Sequence, residues 1–334
     1  MRSTHIHSIG PLKLHNGHVL QQCEVAYNSY GTLANDGRNA IVVTHGYTAS
    51  HQLLTQGSAV AEGPWAALMG PGKPLDTDRF FIICPNMLGS CYGSTGPSSI
   101  NPATQQVYGP DFPDINMSDI VATQYALVKQ LGIQHLRAVV GPSLGGFQAL
   151  QWIVDYPDFV DVAGAIVSAS YLPACTAMSL PHLLHTLQAC PDWPAAQSPS
   201  MQETLYQLRL QTLQTYGMPH VLESQGLPAK DIRPALQSMA KQWAKHFNPH
   251  SLVTLLKAAL SFDVRAQLPT TQANVLHVVA DSDALFPPDK TIHAMQSMNG
   301  RLKQLVLNTP MGHSCSGPLH AVWGPLLQKL LQEN

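Results

Sequence analysis

Three short segments of this sequence hold residue types that carry out acyl chemistry when a fold brings them together. The first is Ala138-Val-Val-Gly-Pro-Ser-Leu-Gly-Gly-Phe-Gln-Ala-Leu-Gln-Trp152, in which Ser143 stands between Gly141 and Gly145. A buried strand that runs through Gly-x-Ser-x-Gly straight into a helix is the context of a nucleophile elbow, a strained turn that exposes the serine hydroxyl. Such a turn crowds neighbouring backbones, so a Cβ at 141 or 145 is expected to clash, and Gly146 lets the new helix approach the sheet. The turn also places the Leu144 amide at a helix N-terminus, where an oxyanion is favoured. A Gly-rich turn with an incidental serine would need neither the strand before it nor the helix after it.

An elbow serine needs a base and an acid that orients the base, expected later in the chain in that fold's order of serine, acid, histidine. Val278-Val-Ala-Asp-Ser-Asp-Ala-Leu-Phe-Pro-Pro288 ends a strand with two carboxylates, Asp281 and Asp283. We expect Asp283 to reach the histidine, with Leu285, Phe286 and Pro287 folding the chain back behind it, and Asp281 to cap the loop. Asn308-Thr-Pro-Met-Gly-His313 then delivers an imidazole on a loop before the final helix, with Gly312 allowing a tight approach. The assignment is Ser143 as nucleophile, His313 as proton shuttle and Asp283 as its orienting partner. In Val43-Thr-His-Gly-Tyr-Thr48, the Gly after His45 allows the Tyr47 amide to be the second oxyanion donor; the alternative is an ordinary strand-end turn.

These segments need a sheet to position them. Apolar runs at Ala40–Thr44, Phe80–Cys84, Ala138–Val140 and Ala163–Val167 read as strands buried on both faces, as in a parallel sheet. Leu12–Tyr30 alternates around Asn16-Gly17 and reads as an antiparallel hairpin on the sheet edge. Ser118–Leu131 reads as a helix capped by Ser118 and stopped by Gly132. From 171 to 246 the chain turns rich in Leu, Gln, Met, Pro and His, and reads as short helices between Pro breaks. Sheet grammar then resumes: Asn248-Pro249 opens a helix with a Leu252, Leu255, Leu256, Ala259 stripe, Val275–Val279 and Leu302–Leu307 are strands, and Leu319, Val322, Trp323, Leu326, Leu327 and Leu330 mark a closing amphipathic helix. The expected organisation is one doubly wound, mostly parallel α/β core (residues 1–170 and 247–334) with a helical lid inserted at 171–246.

Composition narrows the class further. Lys and Arg number 18 against 20 Asp and Glu, so there is no basic footprint for nucleic acid or an anionic membrane. Hydrophobic residues make up 45% of 334, enough to bury a large core and to exclude a disordered chain. The six cysteines are scattered without metal-ligand spacing, which points to free thiols, a reducing compartment and no metal. No run approaches the length of a membrane span, and the polar N-terminus lacks a leader's apolar core, so a cytoplasmic protein is expected. Histidines number 16, nearly equal to the fixed cations, so net charge should climb steeply below about pH 6.5.

Longer motifs add a resemblance. Pro71-Gly-Lys-Pro-Leu-Asp-Thr-Asp-Arg79, Leu88-Gly-Ser-Cys-Tyr-Gly-Ser-Thr-Gly-Pro97, Ser99-Ile-Asn-Pro102, Leu131-Gly-Ile133 and the elbow into Gln151-Trp152 resemble the homoserine O-acetyltransferases, acyltransferases of the α/β-hydrolase fold. Asp283-x-Leu-Phe-Pro and Gly312-His313 extend the match. The resemblance implies ping-pong transfer of an acyl group, acetyl in this family, from acyl-CoA through Ser143 to a small hydroxyl acceptor. No motif suggests a bound cofactor, and the Leu and Met content of 171–246 exceeds what one shallow flap needs, so, in keeping with the family, a homodimer formed through the lid is expected. The resemblance also implies that Arg209, at the family's spacing before Thr215-Tyr216, binds an acceptor carboxylate; a solvated helix cation is the alternative. The family places an Asp directly after the catalytic histidine, suited to an acceptor ammonium, where this chain has Ser314. That departure puts homoserine itself in question and keeps a carboxylesterase or thioesterase on the same residues as a second reading. A non-catalytic binding module is the third, and a complete Ser143, Asp283, His313 set argues against it.

Overall fold

The computed structural model describes residues 4–58, 65–174, 178–298 and 301–333. Ten strands are described: β1 (His5–Lys13), β2 (Val19–Tyr30), β3 (Ala40–Val43), β4 (Phe81–Pro85), β5 (Ile100–Asn101), β6 (Gln106–Val107), β7 (Leu136–Pro142), β8 (Val160–Ile166), β9 (Asn274–Ala280) and β10 (Leu302–Leu307). Eight of them form one sheet in the order β1-β2-β4-β3-β7-β8-β9-β10, while β5 and β6 pair in a small separate hairpin. From β4 to β10 every pairing in the large sheet is parallel; β2 runs antiparallel to both β1 and β4. The Asn16-Gly17 turn joins β1 to β2 as an edge hairpin, with Gly17 at φ +85° where a side chain would be strained.

Helices cover both faces. They are α1 (Met117–Gln130), α2 (Leu144–Asp155), α3 (Leu180–Gln188), α4 (Pro199–Thr215), α5 (Met218–Ser224), α6 (Ala229–Ala244), α7 (Pro249–Leu260), α8 (Pro288–Met295) and α9 (His320–Glu333). Because β3, β7 and β9 are buried on both sides, alternate residues feed two cores. Val42, Val139 and Val275 pack with α1, α2 and α7, whereas Ile41, Val140 and Val278 pack with Trp65, Trp323 and Leu327 on the opposite face.

Several local expectations are corrected. The cap of α1 is Asn116, not Ser118: the Asn116 side chain accepts from the Asp119 amide and the Asp119 carboxylate accepts from the Asn116 amide, a reciprocal box that satisfies two orphan donors. Val322 is 52% exposed and lies off the buried stripe of α9, which runs through Trp323, Leu327 and Leu330. Pro breaks do not keep the inserted helices short, since α4 has 17 residues and α6 carries Pro234 inside its 16.

Helices α3 to α6 build a third core around Met201, Leu205, Leu213, Leu236 and Trp243. Leu and Met side chains of these helices pack into that core. Cys23, Cys84, Cys91, Cys190 and Cys315 are free thiols, and Cys175 lies outside the described residues. Among the described residues no helix is long and apolar enough to cross a membrane.

Candidate active site

The chain crosses from one side of the sheet to the other between β3 and β7, and the crevice at such a reversal, beyond the carboxyl ends of parallel strands, is where open α/β sheets bind ligands. Ser143 sits there, between the end of β7 and the start of α2. Its backbone is at φ 54°, ψ −121°, a conformation that costs a non-glycine residue on the order of 1–3 kcal/mol. Four hydrogen bonds hold it, one of them from the Phe147 amide to its carbonyl at 3.3 Å. The Ser143 amide donates to Ile166 O at 2.9 Å, and its carbonyl accepts from the Gly146 amide at 2.9 Å and from Ser168 Oγ at 2.7 Å. A Cβ on Gly141 would lie 2.6 Å from Thr44 O, and one on Gly145 2.8 Å from the same atom, so the turn closes against the end of β3 only without side chains there. On Gly146 a Cβ would meet Ser168 Oγ at 2.4 Å.

Asp283 and His313 arrive from the neighbouring loops after β9 and β10. His313 Nδ1 is 2.8 Å from Asp283 Oδ2, with the imidazole 5% exposed and the carboxylate fully buried. The remaining oxygen, Oδ1, accepts from the Leu285 amide at 2.8 Å and the Phe286 amide at 3.3 Å. A buried carboxylate with three donors is satisfied as an anion, which makes Nδ1 the protonated nitrogen and leaves Nε2 as the one that can take a proton. Asp281 instead accepts from the Thr309 amide at 3.0 Å, capping the loop.

Ser143 and His313 line one cavity with Arg209, Tyr216, Ser314 and Val167. It has room for about 20 Å³, enough for roughly one water. Arg209 is 8% exposed, so it is not a solvated helix cation. Its Nη1 donates to Thr48 Oγ1 at 2.9 Å and its guanidinium lies 5.3 Å from the Trp243 ring centre. Arg209 and Tyr216 also line an adjoining cavity of about 80 Å³, walled by Trp243, Leu252 and Leu256. Tyr47 belongs to that second cavity through its side chain, whose hydroxyl donates to Leu252 O at 2.6 Å. Enclosure of the phenol, and then Tyr216 beside it, push its pKa well above the ordinary value, so it stays a donor. Leu144 is the first residue of α2, with its amide at the helix N-terminus.

Sequence reasoning gave neither Tyr216 nor Val167 a role at the site, and it placed Phe286 behind Asp283 without its contact to the imidazole. Tyr216 packs edge-on to His313 at 4.8 Å, and Phe286 lies 5.5 Å from the same ring. Val167, at φ 44°, is an outlier for a β-branched residue, held by its amide donating to Val278 O at 2.7 Å. No pattern in the sequence marks a valine for that conformation, whereas Tyr216 falls within the quoted Thr-Tyr pair.

The α/β hydrolase fold family matches residues 39–314. Homoserine O-acetyltransferase of Pelobacter propionicus is 31% identical, over 96% of this chain and 93% of its own length. The chain belongs to the homoserine O-acyltransferase family. Another member, homoserine O-succinyltransferase of Alkalilimnicola ehrlichii, is 32% identical over 92% of this chain and 88% of its own length. Esterase E22, a solved structure, is 26% identical with a TM-score of 0.86, covering 99% of this chain and all of that one.

Proposed function

We propose that this enzyme moves an acyl group from acyl-CoA to the hydroxyl of a small acceptor by way of a Ser143 acyl-enzyme. The observation that carries the reading is the buried Asp283–His313 pair sharing a small cavity with Ser143 and the buried cation Arg209. In the first half-reaction His313 Nε2 takes the Ser143 proton as Oγ attacks the thioester carbonyl; the thiol leaves with that proton. In the second, His313 takes the acceptor's hydroxyl proton, the oxygen attacks the acyl-enzyme, and Ser143 recovers the proton. The Leu144 and Tyr47 amides are our candidates for the donors that stabilise both tetrahedral oxyanions. Arg209 suits an acceptor bearing a carboxylate, and its confinement beside Ser143 keeps the charge out of bulk water.

Ser314 lines the same cavity and carries no charge, so an acceptor ammonium would find no carboxylate there. Homoserine is therefore a weaker fit than an uncharged or purely anionic hydroxyl compound. The same feature, with the likeness to esterase E22, favours hydrolysis as the second reading. Incubation with acetyl-CoA and a panel of hydroxyl acceptors, following thiol release and acyl product together, separates the two. Transfer requires at least one acceptor for which acyl product accounts for most of the thiol released. Thiol release that never exceeds hydrolysis for any acceptor would overturn it. In either case Ser143→Ala should abolish turnover and leave folding intact.

A further inference from the structure

Behind the elbow lies a polar chain that the mechanism has not used. Trp152 Nε1 donates to Gln124 Oε1 at 2.7 Å, and Gln124 Nε2 donates to Gln148 Oε1 at 2.6 Å. Gln148 Nε2 then reaches His45 O at 3.0 Å, Leu144 O at 3.1 Å and Met87 Sδ at 3.0 Å. Trp152, Gln124, Gln148 and His45 are all fully buried. The direction of the chain follows from chemistry alone. An indole nitrogen can only donate, so Gln124 must present its oxygen to Trp152 and its amino group to Gln148; Gln148 must then turn its own amino group toward the two carbonyls. Neither carboxamide can flip without leaving buried groups unsatisfied.

Two of the acceptors belong to the residues that flank the candidate oxyanion hole. His45 O opens the turn that leads to the Tyr47 amide, and Leu144 O belongs to the residue whose own amide is the other donor. His45 is fixed from its other side as well: its Nδ1 donates to Gly46 O at 2.9 Å and its Nε2 accepts from the Met87 amide at 3.1 Å.

The geometry points to Gln148 as the positioning residue of the oxyanion hole, its single amino group clamping the β3 turn to the elbow helix so that both amides keep one fixed separation. This rests on the proposed roles of Ser143, Tyr47 and Leu144. Preorganised donors act only at the tetrahedral stage, so the clamp should affect kcat and leave substrate binding alone. A second tie, from Thr44 Oγ1 to Gly145 O at 2.8 Å, keeps the turn attached when Gln148 is removed.

The test uses p-nitrophenyl acetate turnover and inhibition by phenylboronic acid, whose tetrahedral serine adduct places an oxygen where the oxyanion forms. Gln148→Met keeps the length of the side chain and removes its donors. The expected result is a kcat lower by about 10- to 100-fold, somewhat less than loss of a whole oxyanion donor, with KM within about twofold and the boronate Ki raised by the same factor as kcat falls. Gln124→Met, which leaves Gln148 its donors but frees them to rotate, should give a smaller parallel loss, and it carries the test if Gln148→Met does not fold. An unchanged kcat, or a loss confined to KM with boronate affinity unaltered, would overturn the inference. Ser143→Ala in the same assay separates the two levels. If it abolishes turnover while Gln148→Met stays wild-type, only the clamp falls; if Ser143→Ala stays active, the site assignment falls and the clamp with it.

Discussion

Acid should weaken this protein through two histidines that it buries in the neutral form. His277, on β9, has Nε2 2.9 Å from Ser168 O and Nδ1 3.2 Å from Gln304 Nε2; burial pushes its pKa down to about 4, against the opposing pull of the Ser168 carbonyl. His51, with Nε2 2.9 Å from Thr4 Oγ1, is likewise pushed down to about 4 by burial. In the unfolded chain both titrate near 6.5. Above that value both are neutral in either state and contribute no pH dependence. As the pH falls from about 6.5 to about 4, the unfolded chain takes up two protons that the folded one refuses, so stability falls with pH. At about 1.4 kcal/mol per pH unit this interval amounts to about 3 kcal/mol per histidine, a large part of the 5–15 kcal/mol typical of a domain. Urea unfolding followed by tryptophan fluorescence, from about pH 7.5 to about pH 4.5, measures it. His277→Gln keeps a donor for Ser168 O and cannot titrate; it should be less stable than wild type at the upper pH yet lose about 1.4 kcal/mol less per unit of acidification. Parallel curves for the two proteins would refute the reasoning.

Three further outcomes bear on the site. Arg209→Ala should raise KM for a carboxylate-bearing acceptor about 10- to 100-fold, the worth of one charged hydrogen-bond partner, while turnover of a neutral ester changes little; an unchanged KM would reduce Arg209 to a lid contact with Thr48 and Trp243. Ser314→Asp should raise kcat/KM for homoserine by about tenfold or more over that for a neutral alcohol, and equal effects on both acceptors would show that position 314 does not meet the ammonium. Gly141→Ala should cost about 3 kcal/mol or more, because its Cβ would lie 2.1 Å from Thr44 Oγ1; a wild-type urea midpoint would show that the elbow has slack.

The parts of the molecule legible beforehand are those governed by local rules. Strand runs such as Val275–Val279 and the Asn248-Pro249 helix start are read from burial and capping, and both occur within a residue or two of their expected places. Asp283 is distinguishable from Asp281 because the Leu-Phe-Pro turn after it can return two amides to one carboxylate, as it does. What escapes such rules depends on distant partners. Asn116 rather than Ser118 caps α1 because it alone completes the reciprocal pairing with Asp119, which is in turn held at 2.7 Å by His15 from the edge hairpin. The Gln124–Gln148 bond joins residues 24 apart on two helices, and no periodicity announces which polar residue on a buried face will meet another. Arg209 faces inward because Thr48 and Trp243 receive it, a fact of tertiary packing alone.

The lid is joined to the histidine loop backbone to backbone. The Ser314 amide donates to Tyr216 O at 2.9 Å, and Gly217, at φ 85°, comes so near that a Cβ there would stand 2.3 Å from Met311 O. The end of α4 is thus stapled next to His313, whereas among the described residues no hydrogen bond ties the connections before α4 and between α5 and α6 to the Asp283 or His313 loops. Lineages that lengthen or trim this insertion have room to do so at those outer connections; a one-residue insertion or deletion at the join would shift His313 itself. Such a staple divides the lid into a part open to evolutionary change of length and a part whose length is fixed by the chemistry beneath it.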